Sequence, residues 1–321
     1  MLTDLRGQSL PAGFSGVHDF EDVGLIPFDQ QTDLLFTADF FTPMVDDAYN
    51  FGAIAAANAL SDIYAKGGTP LAALNVAAFP QDLDVELLRE ILRGGAEKAA
   101  EGGIPIVGGH TVKDREIKFG MAIIGRVRRE DFVPIGGARA GQSLVLTKGL
   151  GTGILATALK REKLDDSGIA DLTSSMLQLN RDGSRIAREH GVAAATDVTG
   201  YGLLGHLLNM VCASHVEATI FFSRIPFLPR ALDLALEGHV PGGGRSNLSF
   251  AAHRTTFAEQ LDDTEKLLLA DPQTSGGLLL AVDEERSTAM MAALLDAGYR
   301  AAIIGRVTAG SIEGGRIIVR R

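Results

Sequence analysis

Two α+β domains are what the sequence predicts, and three observations carry that reading. The chain has 321 residues, more than one ordinary hydrophobic core organises, so two cores are the default. Strand-like runs and helical periodicity are mixed in both halves. The stretch REDFVPIGGARAGQSLVLTK is rich in Pro, Gly and Ala and lies between two strand-like runs, which places the junction near residue 140. The expected domains are therefore 1–140 and 141–321.

In the first half, DLLFTAD (33–39) reads as a strand. A helix runs from about Asn50, a good N-cap, to Lys66, where Gly67-Gly68 stops it. LAALNVAAF (71–79) reads as a strand and 83–101 as an amphipathic helix stopped by Gly102-Gly103. IPIVGG is a short strand and turn, and KFGMAIIGRV (118–127) is another strand. The second half repeats the mixture. Helices are expected at 151–160, 170–190, 202–214 and 284–297, and strands at 143–147, 217–222, 277–282, 300–307 and 316–320.

Composition narrows the function classes. Hydrophobic residues make up 46%, ordinary for a globular protein. No run of 18 apolar residues suggests a membrane span, and MLTDLRGQSLPAG lacks the plan of a secretory signal. Net charge is −10 with no basic block, which argues against a nucleic-acid binder. An acidic chain that handles phosphates recruits cations locally, and carboxylate-held divalent metal is the usual means. The single cysteine, Cys212, cannot form an internal disulfide, so a cytoplasmic location is expected. It lies in an apolar stretch and reads as a small core residue, with a reactive thiol as the alternative.

The most informative piece is NFGAIAAANALSDIYAK (50–66), almost wholly apolar and small. Asn58 and Asp62 are four apart and so share one face of this helix. A carboxylate on a buried helix is costly unless paired or bound to metal; ligating a metal and capping a neighbouring loop are the two readings. Asp22 precedes a presumed strand, and Asp39 and Asp197 stand at strand ends. Taken singly each reads as a turn residue or N-cap; as a group they suit an oxygen-only Mg²⁺ site. Gly108-Gly109-His110 offers backbone N–H groups that could cradle phosphate, or simply a tight turn. TKGLGTG (147–153) lacks Walker A spacing, although Lys148 could still meet an anion. PGGGRSN (241–247), with Arg245, could be a flexible phosphate clamp. No Ser-His-Asp pattern and no zinc spacing is present.

Several long blocks, in this order, resemble the selenophosphate synthetase (selenide, water dikinase) family. They are TADFFTPMVDDAYNFGAIAAANALSDIYAKGGTPLAAL, GGHT (108–111), TKGLG (147–151), DVTGYGLLGH (197–206), PGGGRSN and DPQTSGGLLLAV (271–282). The matching runs from Asp22 nearly to the C-terminus. The resemblance implies membership of the aminoimidazole ribonucleotide synthetase superfamily, with a two-domain PurM-like α+β architecture. It also implies a homodimer in which N-terminal-domain strands close a β-barrel. The implied reaction converts selenide, ATP and water to selenophosphate, AMP and phosphate. The family's Mg²⁺-binding aspartates match Asp22, Asp62 and Asp197, and its ATP-contacting positions match Asp19, Phe20, Glu21, Asp39 and Asp62. The turn Gly108-Gly109-His110 matches one that reaches the partner subunit's nucleotide, and Asn58 is expected beside the aspartates.

One departure stands out. Family members carry a glycine-rich loop with a reactive Cys or selenocysteine, then a Lys, well before the Asp22 position. Here the 21 residues before Asp22 hold neither a Cys nor a Lys, and Glu21 replaces the first of the common paired aspartates. The catalytic group is therefore unknown, and the expectation is a gene start placed downstream of a selenocysteine codon read as a stop. Such a chain would make little selenophosphate. The rivals are a catalytically silent nucleotide-binding paralogue and another enzyme of the superfamily. The ending IIVRR disfavours the hydrogenase-maturation relative, which needs a C-terminal cysteine, and DPQTSGG disfavours the purine relative.

Overall fold

The computed structural model of the chain describes residues 11–16, 19–310 and 315–321. The N-terminal stretch judged above for a signal and for its missing Cys and Lys lies largely outside them. The chain packs as two units. One comprises the residues up to Phe132 together with Met176–Arg181; the other comprises Val133–Ser175 and Asp182–Arg321.

In the first unit, β1 (Gly24–Pro27) and β2 (Thr32–Phe41) form an antiparallel pair. They are followed by α1 (Ala48–Ala65), β3 (Thr69–Phe79), α2 (Val85–Glu101), β4 (Ile106–Lys113) and β5 (Lys118–Arg128). The sheet order is β1-β2-β5-β3-β4. Only β3 and β4 are parallel, because α2 carries the chain back across the sheet between them. The N-cap of α1 is Asp47 rather than Asn50: its carboxylate accepts the Asn50 N–H at 2.7 Å. Every residue from Phe51 to Ala65 is buried, as a helix apolar all round must be. Helix α2 packs on α1 backbone to backbone. A Cβ on Gly52 would sit 1.9 Å from the Ile91 carbonyl oxygen, and one on Gly94 equally close to that of Tyr49. The segment Met176–Arg181 is fastened to this unit at three points. Asn180 Nδ2 donates to Ser61 Oγ (2.8 Å), Lys98 Nζ to the Leu177 carbonyl (3.0 Å) and Arg181 to that of Glu101 (2.7 Å).

The other face of the sheet carries exposed apolar side chains. Register lines up Phe36, Ile124 and Ala72 in one row, and Ala38, Ala122 and Leu74 in the next. Phe36, Phe40 and Leu74 are exposed, as are Val107 and Val112 on the edge strand β4. The described sheet is open, and no closed barrel is formed by it.

The second unit contains β6 (Ser143–Leu146), α3 (Thr152–Lys160) and most of α4 (Asp166–Leu177) and α5 (Arg181–Glu189). It continues with β7 (Ala194–Asp197), α6 (Gly202–Ser214), β8 (Glu217–Phe221), α7 (Ala231–Leu236), α8 (Gly242–Ala252) and β9 (Thr255–Phe257). It ends with α9 (Asp263–Leu269), β10 (Leu278–Val282), α10 (Glu284–Asp296), β11 (Ala302–Thr308) and β12 (Arg316–Arg320). The strands form one mixed sheet in the order β7-β10-β6-β11-β8-β12-β9, with β6 and β10 wholly buried. The single helix expected over 170–190 is two, because the residues between them fold into the first unit. PGGGRSN is not a loop. Its Gly242–Asn247 form the first turns of α8, entered through Pro241, and Asn247 Nδ2 donates to the carbonyls of Gly200 (2.8 Å) and Ala270 (3.1 Å).

Candidate active site

Strand β2 and helix α1 meet side chain to side chain along one stripe. Thr37 donates its hydroxyl to Asp62 Oδ2, and Asn58 Nδ2 donates to Asp39 Oδ2 at 2.8 Å. Two residues along a strand advance about 6.6 Å, and four along a helix about 6 Å. The pairs 37–62 and 39–58 therefore form two matched rungs. Asp39 lies inside β2, two residues before its end, rather than ending it. Burial raises the Asp39 carboxyl above its ordinary range; the Asn58 hydrogen bond opposes this, and the negative charge of Asp22 adds to it.

The same stripe continues one turn further, to Lys66, the C-cap of α1. Its side chain is fully buried. Its ammonium lies 2.8 Å from Glu21 Oε2 and 2.9 Å from Asp22 Oδ2. Burial alone would lower the Lys66 pKa; the charges of Asp22 and then Glu21 outweigh it and leave it raised, so the ammonium stays protonated. Sequence reasoning passed over Lys66 as a helix terminus. Its spacing of four from Asp62 was the available signal.

The segment before Asp22 is held in a tight turn. The N–H groups of Asp19 and Glu21 both donate to the Gly16 carbonyl, at 2.9 and 3.1 Å, and Ser15 Oγ donates to Asp19 Oδ2 at 2.5 Å. Phe20 has a left-handed backbone, φ 64°. A non-glycine residue there costs on the order of 1–2 kcal/mol. The two Lys66 ion pairs just after it hold the chain in that form.

Gly108, Gly109 and His110 do not form the expected turn. They lie inside β4, paired with Leu74, Asn75 and Val76 of β3, and are exposed along the sheet edge. Glycine is needed at 109 because a Cβ would fall 2.4 Å from the Asn75 carbonyl oxygen. The glycine pair thus serves close strand packing and leaves a flat, accessible edge.

Asp197 belongs to the second unit, at the end of β7, and is buried. His206 on α6 accepts the Thr199 N–H at 3.1 Å and so shapes the loop that follows Asp197. TKGLGTG is not an anion loop. Lys148 is buried, its ammonium donating to the Ser275 carbonyl at 2.8 Å. The N-terminus of α3 is closed by the DPQTSGG segment. Asp271 Oδ2 accepts from the N–H groups of Gly153 (3.1 Å) and Ile154 (3.3 Å), and Gln273 Oε1 from those of Gly151 (3.0 Å) and Thr152 (3.2 Å). A carboxylate already stands where a helix start would receive phosphate.

Among the described residues no group of three or more His, Cys, Asp or Glu side chains is gathered as a ready-made metal centre. The carboxylates of the first unit are engaged instead by Lys66, Asn58 and Thr37. The donor set nevertheless fits a hard divalent cation. Glu21, Asp22, Asp39 and Asp62 offer only oxygen donors, and the negative charge of Asp22 is felt at Asp39.

Residues 20–127 match the family model of the AIR synthase related protein N-terminal domain, and 139–318 that of its C-terminal domain. The chain is 43% identical to a selenide, water dikinase of Carboxydothermus hydrogenoformans, covering 97% of this chain and 90% of the relative. It is 44% identical to one of Myxococcus xanthus, covering 97% and 89%. Among solved structures, AaThiL complexed with AMPPCP and TMP superposes with a TM-score of 0.70 at 20% identity, over 93% of this chain and 87% of that one. The hydrogenase maturation protein HypE in complex with ATP gives 0.69 at 20%, over 94% and 85%. At that identity these two structures speak to the fold alone, a two-domain PurM-like α+β fold with mixed sheets.

Proposed function

Since this chain belongs to the selenide, water dikinase family, within the AIR synthase related proteins, we propose that it converts selenide, ATP and water to selenophosphate, AMP and phosphate, one phosphoryl group of ATP passing to selenide and the other to water. The observation that carries the reading to particular residues is the stripe on α1. There Asn58, Asp62 and Lys66 present polar groups at intervals of four on a largely apolar helix, against Asp39 and Asp22. Asp39, Asp62 and the Asp19-Phe20-Glu21 turn contact the nucleotide, and Asp22, Asp62 and Asp197 are the metal-binding carboxylates. Held by those carboxylates, Mg²⁺ would supply positive charge that offsets the charge of the transferring group. Asn58 and Thr37 hold the Asp39 and Asp62 carboxylates in place. Residues 1–140 form the ATP- and Mg²⁺-binding and dimerisation domain, and residues 141–321 the second domain. No nucleophile is assigned.

The apolar outer face of the first sheet supports a homodimer, because Phe36, Phe40 and Leu74 would be covered by the same face of a second copy. Two such sheets would close into a barrel, and Gly108-Gly109-His110 on the edge of one would meet the partner's nucleotide. No described helix is long and apolar enough to cross a membrane. A cytoplasmic location fits the single cysteine. The test is ³¹P NMR of the protein with ATP, Mg²⁺ and selenide. The reading expects AMP, phosphate and a selenium-coupled phosphorus signal, small in a chain without the reactive Cys or selenocysteine and diminished further by Asp62→Asn. Release of ADP as the only nucleotide product, with no selenium-coupled signal, would overturn it.

A further inference from the structure

The observation that the proposed reaction leaves unused is Lys66. An ammonium with no exposure to solvent bridges two carboxylates, of Glu21 (5% exposed) and Asp22 (10% exposed). Buried lysines are rare, and here fixed negative charge on two carboxylates compensates the buried ammonium. Its backbone is anchored at the end of α1, with its N–H donating to the Tyr64 carbonyl, and Gly67 and Gly68 turn the chain immediately after it. The ammonium position is therefore set by a rigid helix and not by a flexible loop. The two acids follow Phe20, whose left-handed backbone lacks any glycine to relieve it. The helix end, the ammonium and the strained turn form one connected unit.

We infer that Lys66 is a built-in cation at this site: its ammonium takes the place of one divalent ion at Asp22 and fixes the Asp19–Asp22 turn before any ligand arrives. This rests on the reading that Asp22 and Asp62 are carboxylates that receive divalent metal with the nucleotide. Lys66 is a positioning residue, acting through Glu21 and Asp22. Charge arithmetic gives the consequence. Two carboxylates facing one fixed ammonium need less added positive charge than the same two alone. Removing the ammonium leaves two nearly buried carboxylates that a divalent ion can satisfy through oxygen ligands.

The test compares wild type with Lys66→Met, a change close in length and without charge. Mn²⁺ binding is counted by electron paramagnetic resonance without nucleotide, and melting temperature is followed with and without Mn²⁺. The inference expects Lys66→Met to bind one more Mn²⁺ per chain than wild type. It also expects a lowered melting temperature in chelator that Mn²⁺ restores, with a smaller Mn²⁺ gain in the wild type. Equal Mn²⁺ counts and no metal-linked gain in Lys66→Met would overturn it. Absence of Mn²⁺ binding by both proteins, with ATP present or not, would instead sink the underlying metal reading. A measurement on the unmodified protein guards against a variant that does not fold: amine acylation followed by mass spectrometry. Lys66 stays unlabelled at saturating Mn²⁺ if its ammonium is a permanent occupant. Labelling that rises with Mn²⁺ would mean the metal displaces it, and the inference would fail.

Discussion

Replacing Asp271 by Asn should reshape how the stability of the protein depends on pH. Asp271 is wholly buried, and burial pushes its carboxyl up to about 7, against the opposing hydrogen bonds of Gln273, Ile154 and Gly153. In an unfolded chain the same group titrates near about 3.9. Below about pH 4 both states are protonated and above about pH 7 both are ionised; between them the folded chain binds more protons. Stability contributed by Asp271 is thus present at low pH and lost as pH rises through 7. A shift of about three units is worth roughly 4 kcal/mol over the whole window, of which roughly 3 kcal/mol falls between about pH 5 and pH 8. Asparagine is neutral throughout. Its oxygen can keep the Gly153 and Ile154 bonds, but its NH₂ faces the Gly153 Cα, where Asp271 Oδ1 has no hydrogen-bond donor. An unpaired buried donor costs about 1–3 kcal/mol. The variant should therefore be the weaker protein at pH 5, and the gap should close or reverse by pH 8. The chain has no tryptophan, so urea unfolding followed by far-ultraviolet circular dichroism is the suitable assay. Stability curves for the two proteins that run parallel from pH 5 to pH 8 would refute the reasoning.

Other changes probe other parts of the account. Asn58→Leu removes the donor that holds Asp39; a hydrogen bond to a charged group is worth about 1.5–3 kcal/mol, so ATP affinity by calorimetry should fall roughly 10- to 100-fold. Phe36→Glu with Phe40→Glu puts charge on the apolar sheet face and should convert a dimer to monomers in analytical ultracentrifugation. Lys148→Met breaks the bond to the Ser275 carbonyl and should lower the melting temperature while leaving ATP affinity unchanged, since that lysine is an internal tie.

The legible parts of the sequence were those in which periodicity and chemistry agree. Helix α1 announced itself because small apolar residues fill every face and Asn58 and Asp62 break the pattern on one stripe. Both do face β2. The Gly108-Gly109 pair misled because glycines signal turns more often than strands; here the close approach of Asn75 demands one inside β4. PGGGRSN misled for the same reason, since Pro241 starts a helix that its glycines merely tolerate. The break at Gln178–Asn180 was hidden because its cause, attachment of that segment to the first unit, is tertiary. Lys66 was overlooked because a lysine at a helix C-terminus ordinarily faces solvent, and only the fold brings Glu21 and Asp22 over it.

The most direct measurement is equilibrium binding of ATP in the presence of Mg²⁺, by calorimetry, to the wild type and to Asp62→Asn and Asp39→Asn. Stripe geometry predicts saturable binding by the wild type, weakened at least about tenfold in each variant, with circular dichroism showing both folded. Unaltered affinity in both folded variants would mean that the nucleotide does not sit against β2 and α1.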